Sequence, residues 1–126
     1  MFGKTHAFSG MSVNDLDAAE KFYGKTLGLK VERDDMGLNI HLADGLPLFI
    51  YEKENHQPAT YTALNFVVDD VDKAAADLKA KGIELEHYKG MTGDDGVERG
   101  LAAHQGPDIA WFKDPAGNIL SILQEK

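Results

Sequence analysis

The chain has 126 residues, no cysteine and a net charge of −8, from 13 basic and 21 acidic side chains. This length predicts one domain, and the lack of cysteine excludes disulfides, thiolate metal sites and a cysteine nucleophile. The acidic balance disfavours nucleic acid as a partner, and no apolar run approaches the roughly 18 residues of a membrane span, so we expect neither nucleic acid nor membrane binding. The N-terminal residues lack a signal-peptide pattern, which favours a cytoplasmic location.

The first predicted elements are a strand over residues 4–13, KTHAFSGMSV, and a helix over residues 14–28. Asn14 or Asp15 is suited to accept hydrogen bonds from the first helical N–H groups, and Gly28 is suited to end the helix. Three short strands follow, LKVERD, LNIHLA and PLFIYEK, separated by glycine-containing turns. The first half of the chain therefore predicts the order βαβββ.

The same order recurs 55 residues later. A strand from Thr62, TALNFVV, precedes the helix DDVDKAAADLKAKG and the strands IELEHY, DIAWFK and NILSILQ. A glycine-rich stretch within this half, covering the predicted loop 90–107, is typical of a mobile lid. A repeat of this period indicates a duplicated supersecondary unit. We predict an α+β chain with module one over residues 4–53, a linker over 54–61 and module two over 62–126.

Three stretches, VNDLDAAEKFYGKTLGLKV, FVVDDVDKAAADLKAKGIEL and WFKDPAGNILSIL, resemble the vicinal oxygen chelate superfamily in order and spacing. This superfamily contains glyoxalase I, extradiol dioxygenases, and the fosfomycin- and bleomycin-resistance proteins. The resemblance covers nearly the whole chain and implies two βαβββ modules that form a curved mixed sheet around a cavity, usually in a homodimer. For the enzymes it also implies a divalent metal that acts as a Lewis acid, held by histidine, glutamate or glutamine from four strands.

The positions that correspond to the family's metal ligands carry side chains unsuited to zinc, nickel, manganese or iron. They are Phe8, Phe49, Ala63 and Ser121. The resemblance is therefore to the metal-free, bleomycin-resistance-like branch, and no metal or other cofactor is expected. A displaced metal site built from His6, His41 and a carboxylate such as Glu52 stays open as an alternative.

With aromatic residues in place of ligands, the cavity favours a small aromatic or cationic molecule, bound or sequestered without a metal. The predicted lining is His6, Phe8, His41, Phe49, Tyr51, Asn65, Trp111 and Ser121. Three alternatives remain open: a metal-dependent glyoxalase-like lyase or extradiol-type dioxygenase, a cofactor-free enzyme, and a barrel filled by its own phenylalanines. Whether the chain is an enzyme, and with which catalytic residues, is left open by the sequence.

Overall fold

A computed structural model of the protein describes all residues, 1–126, and divides them into two compact units, residues 1–58 and 59–126. Each unit consists of one four-stranded mixed sheet and one main helix, in the chain order βαβββ. The predicted α+β class and the two βαβββ modules are therefore confirmed. None of the helices combines the length and the apolar character that crossing a bilayer requires.

In the first unit, β1 is parallel to β4, and β4, β3 and β2 are antiparallel neighbours, which gives the strand order β1-β4-β3-β2. The helix begins as an α-helix and continues directly as a π-helical segment. The elements are β1 (Gly10–Val13), α1 (Leu16–Glu20), the π-helical segment (Lys21–Thr26), β2 (Lys30–Arg33), β3 (Leu38–His41) and β4 (Leu48–Glu52).

The second unit repeats this topology, with the strand order β5-β8-β7-β6 and only the β5–β8 pair parallel. A short 3-10 helix precedes its third strand. The elements are β5 (Thr62–Val67), α2 (Val71–Ala80), β6 (Val97–Arg99), the 3-10 helix (Leu101–Ala103), β7 (Asp108–Lys113) and β8 (Ile119–Gln124).

Both helices begin in the same way. The side chain of Asp15 accepts a hydrogen bond from the N–H of Ala18, and Asp70 accepts two from the first turn of α2. These contacts satisfy N–H groups that the helix itself cannot bond, as the sequence predicts. In each unit the first N–H of the helix also donates a hydrogen bond to a side-chain oxygen of the last strand. The acceptor is Glu52 in the first unit and Gln124 in the second. The helix is thereby fastened to the sheet in both repeats.

Each sheet buries the face that its helix covers. Alternate residues of the strands point to this side, and the helices add their apolar stripes. Buried side chains of the first unit include Val13, Ala19, Tyr23, Leu38, Ile40 and Ile50. Those of the second unit include Val71, Leu78, Ala110, Phe112, Leu120 and Ile122. The opposite face of each sheet, called here its open face, is therefore the one available for other roles.

The first strand is shorter than predicted. It covers Gly10–Val13 rather than residues 4–13, so His6 and Phe8 lie outside the sheet. Gly10 is opposite Phe49, and Phe49 donates its N–H to the carbonyl of Ser9. Two residues earlier, the same register would set Phe8 opposite Pro47, which has no N–H to donate. The ladder therefore ends where β4 begins.

The strand predicted over Ile83–Tyr88 is wrong. This segment makes only one backbone hydrogen bond to β7, from the Glu86 N–H to the Trp111 carbonyl. The strand that pairs with β7 in the antiparallel ladder is Val97–Arg99. β6 therefore lies inside the glycine-rich stretch that was predicted as a loop and mobile lid. Arg99 at its end donates to Asp72 of α2 and to Asp95, which fastens this stretch to the helix. The antiparallel ladder with β7, supported by these ion pairs, orders the segment despite its glycine-rich composition.

Candidate functional site

The open face of the first sheet is aromatic. Phe49 and Tyr51 project from it two residues apart on β4, with ring centroids 5.8 Å apart and nearly parallel planes. Phe8, 68% exposed, contacts Phe49 edge to face at 6.4 Å. These are geometries in which aromatic rings attract one another. The structure thus brings together three of the residues that the sequence predicted as lining.

The same face carries His41, but its surroundings do not suit a metal. Its Nε2 atom lies 2.9 Å from Glu32 Oε1, out of line for a hydrogen bond. Glu52 projects from the opposite, helix-covered face of β4 and accepts the Leu16 N–H. His6 is exposed and lies before β1. The displaced site considered from the sequence is not formed, and the chain has no cluster of three histidine, aspartate or glutamate side chains that could hold a metal ion.

A histidine that the sequence did not single out also reaches this face. His56, in the segment after β4, has its Nδ1 atom 2.6 Å from the hydroxyl oxygen of Ser12. Ser12 is opposite Tyr51 in the β1–β4 pair, so the contact lies at the edge of the aromatic group. The two residues are 44 positions apart, and no local pattern connects them.

The open face of the second sheet carries a row of three predicted lining residues. Asn65 is opposite Ser121 in the β5–β8 pair, and Ser121 is opposite Trp111 in the β8–β7 pair. Ser121 is fully buried, and its hydroxyl donates to Asn65 Oδ1 at 2.5 Å. Asn65 itself is exposed. The row therefore presents an amide and an indole on one face, joined through a buried serine.

A β-bulge changes which side chains of β5 reach this face. The pairing with β8 shifts by one residue between Thr62, opposite Ile119, and Leu64, opposite Leu120. Ala63 is the extra residue, so Thr62 shares the open face with Asn65 although they are three positions apart. Simple alternation predicted Ala63 in this role. Ala63, the position that corresponds to a metal ligand in the family's enzymes, is therefore the unpaired residue of the bulge.

A cavity of about 370 Å³ opens on the second unit beside Trp111. The Trp111 Nε1–H donates to Thr62 Oγ1 at 3.0 Å, and Tyr88 meets the indole edge to face at 5.4 Å. Burial, and to a lesser extent the carboxylate of Glu86, raise the pKa of Tyr88, so its hydroxyl keeps its proton at neutral pH. The lining is Thr60, Tyr61, Thr62, Tyr88, Met91, Trp111 and Ile119.

Sequence reasoning found Trp111 but missed the other residues of this cavity. Tyr61 was assigned to the linker, Tyr88 to the end of the predicted strand over residues 83–88, and Met91 to the stretch predicted as a lid. Tyr88 is held by the turn that follows it, in which its N–H donates to the hydroxyl of Thr92. No local signal connects Tyr61, Tyr88 and Trp111, which are far apart in the sequence and are brought together only by the fold.

The residues at the family's ligand positions do not fit a divalent metal. Phe8, Phe49 and Ala63 have no donor atom, and the Ser121 hydroxyl is buried and already engaged with Asn65. The preferred ligands of such metals are imidazole, carboxylate and thiolate groups. No catalytic step can be derived through a metal at these positions.

The comparisons with known proteins agree with this architecture. The family model described as Glyoxalase/Bleomycin resistance protein/Dioxygenase superfamily matches residues 5–122. The chain therefore belongs to the glyoxalase/bleomycin resistance protein/dioxygenase superfamily.

Solved structures with the same fold come from several bacteria. A glyoxalase family protein from Enterococcus faecalis aligns with a TM-score of 0.68 at 23% identity, covering 98% of this chain and 99% of the other. The fosfomycin resistance protein FosX from Listeria monocytogenes aligns at 0.71 and 18%, covering 95% and 92%. The antibiotic binding protein TnmS3 from Streptomyces aligns at 0.68 and 21%, covering 98% of each chain. At these identities the likeness concerns the fold. No curated protein sequence matches the chain.

Proposed function

We propose that this protein binds a small aromatic or cationic molecule without a metal, as a member of the bleomycin-resistance-like branch of its superfamily. One observation carries the proposal: the four positions where the family's enzymes hold their metal are occupied by Phe8, Phe49, Ala63 and Ser121. Aromatic side chains take the place of ligands on the first sheet, and an indole beside a cavity stands on the second. A binding surface of this kind recognises ring systems by stacking and by apolar contact.

One neighbour, described as an antibiotic binding protein, supports the binding role by analogy. We therefore propose binding or sequestration, rather than conversion, of this molecule. The predicted residues His6 and His41 would contribute polar contacts in the first unit, and Asn65 would do so in the second.

Metal analysis of protein purified without chelators tests the metal-free part of this proposal. We expect less than a tenth of an equivalent (~0.1 per chain) of zinc, nickel, iron or manganese, because the donor set is poor in the ligands these metals prefer. A glyoxalase purified in parallel serves as the positive control. A full equivalent of any of these metals that survives dialysis would overturn the proposal and favour a lyase or dioxygenase.

The oligomeric state belongs to the same proposal, since the resemblance implies a homodimer in the cytoplasm. Size-exclusion chromatography with light scattering should give about twice the 13.8 kDa of one chain. A concentration-independent mass of one chain would contradict the dimer without touching the binding surfaces described above.

A further inference from the structure

Two groups on the open face near Trp111, the Thr62 hydroxyl and the Asn65 amide, have hydrogens to donate that no protein group accepts. The Trp111 Nε1–H donates to the Thr62 oxygen, so the hydroxyl hydrogen of Thr62 has to be donated elsewhere. No other protein group accepts it. The same accounting applies to Asn65: its Oδ1 accepts from Ser121, and both hydrogens of its Nδ2 have no protein partner.

The bulge at Ala63 is what brings these two groups to one face. With Thr62 opposite Ile119 and Asn65 opposite Ser121, both side chains lie on the Trp111 side of the sheet. In a regular strand, residues three apart would point to opposite faces. The result is two hydrogen-bond donors on the side of the indole.

The cavity itself carries no net charge. Its seven lining residues are hydroxyl-bearing, aromatic or apolar. The charged groups that act on Tyr88 are Glu86 and Lys113, and these two pair with each other at 3.3 Å. An organic cation would find ring faces here but no carboxylate to offset the loss of its hydration.

From this geometry we infer that the cavity beside Trp111 and the adjoining open face take a planar, uncharged aromatic molecule bearing a carbonyl oxygen. The donors to its acceptor atoms are Thr62, which lines the cavity, and Asn65, which lies outside the lining and beyond Ser121 on the same face. The ring system stacks in the space bounded by Trp111, Tyr88 and Tyr61, whose volume of about 370 Å³ is within the range of small-molecule sites. This inference rests on the proposed aromatic binding and narrows its ligand class from aromatic or cationic molecules to neutral carbonyl-bearing ones.

Three tricyclic probes of nearly equal shape separate the ligand classes: xanthone with a carbonyl, xanthene without it, and the N-methylacridinium cation. Binding is followed by isothermal calorimetry and by quenching of Trp111, the single tryptophan of the chain. Because a well-aligned hydrogen bond is worth about 0.5–1.5 kcal/mol, we expect xanthone to bind roughly threefold to tenfold more tightly than xanthene. The cation should bind more weakly than xanthone.

The variant Asn65→Asp inverts the polarity of the site while keeping an oxygen for the Ser121 hydroxyl. It replaces the free amide donor by a carboxylate, so we expect xanthone affinity to fall by about tenfold and the preference to shift toward N-methylacridinium. Gln105→Glu adds the same charge at an exposed loop position of the second unit and should leave the probe ranking unchanged. Circular dichroism of both variants establishes that they are folded.

The outcomes test two statements separately: the preference for a carbonyl-bearing neutral ligand, and the proposed binding of aromatic molecules. Equal binding of xanthone and xanthene, or strongest binding of the cation by the unchanged protein, refutes the carbonyl preference and leaves aromatic binding intact. Failure of all three probes to bind in calorimetry and to quench Trp111 overturns the aromatic binding proposal together with the inference. If Asn65→Asp does not fold, the ranking of probes on the unchanged protein still decides.

Discussion

The turn between β7 and β8 is organised by Asp114, and replacing this residue by alanine should destabilise the protein strongly. Asp114 is only 5% exposed. Its Oδ1 accepts from the N–H groups of Ala116 and Asn118, both at 2.9 Å, and its Oδ2 accepts from Asn118 Nδ2 at 2.9 Å. Alanine removes both acceptor oxygens, and with them all three hydrogen bonds, and leaves the two donors of Asn118 in a buried environment.

A hydrogen bond to a charged acceptor contributes about 1.5 kcal/mol, so the three together predict a loss of about 4.5 kcal/mol in the free energy of unfolding. For a chain of this length such a loss lowers the melting temperature by roughly 12–18 °C. Asp114→Asn keeps one acceptor oxygen and should lose only about 1–2 kcal/mol. The same turn sets the register that places Ser121 opposite Trp111, so partial unfolding here also removes the site.

Urea unfolding, followed by Trp111 fluorescence and by circular dichroism, measures these losses. Asp94→Ala is the matched control, because Asp94 is exposed and should change the stability by less than about 0.5 kcal/mol. If Asp114→Ala lost no more than this control, the buried carboxylate would not be what holds the turn, and the energetic reasoning would fail.

Two further changes test the repeated architecture. Gly37 has φ of +153°, and a Cβ there would lie 2.3 Å from the carbonyl oxygen of Ile50 in β4. Gly37→Ala should therefore lower the free energy of unfolding by more than about 2 kcal/mol in calorimetry. Gly45→Ala, with open space around its Cβ, should lower it by only about 1 kcal/mol. A hydrogen bond from Arg99 holds the pKa of Asp72 below its usual value. The pKa of Asp95 is lowered as well, mainly by the hydrogen bond from the Val97 N–H and secondly by the one from Arg99. A carboxylate whose pKa is lowered in the folded state stabilises the fold at every pH above its unfolded-state pKa, which is near 4. This stabilisation is lost as the pH falls below that value and through the folded-state pKa. Arg99→Met should therefore lower stability at pH 7 by less than about 1 kcal/mol, since these groups are largely exposed, and the difference from the unchanged protein should disappear toward pH 2. A constant difference across that pH range in urea titrations would refute this assignment.

The repeat made most of the fold predictable from the sequence. Equivalent capping residues, Asp15 and Asp70, recur 55 positions apart, and the side chain of each caps its helix. Such features depend on neighbours in the chain. What could not be predicted depends on partners that are distant in the sequence. β1 begins only at Gly10, because the register would set Phe8 opposite Pro47, and β6 forms where β7 offers a free edge.

The candidate site was predictable in part for the same reason. Positions carried over from the family's motifs lie on the open faces, as Phe49 and Ser121 do. The bulge at Ala63 has no signal in the local sequence, so the role of Thr62 stayed hidden. Tyr88 was hidden as well, because the segment that carries it was assigned to a strand that does not form.

The extra residue at Ala63 also has an evolutionary consequence. Because the side chains before and after it keep their faces, a one-codon deletion here would leave Thr62 and Asn65 where they are and straighten β5. Length variation at a single site thus offers descendants a way to adjust the curvature of the sheet, and with it the width of the cavity, while every lining side chain is retained.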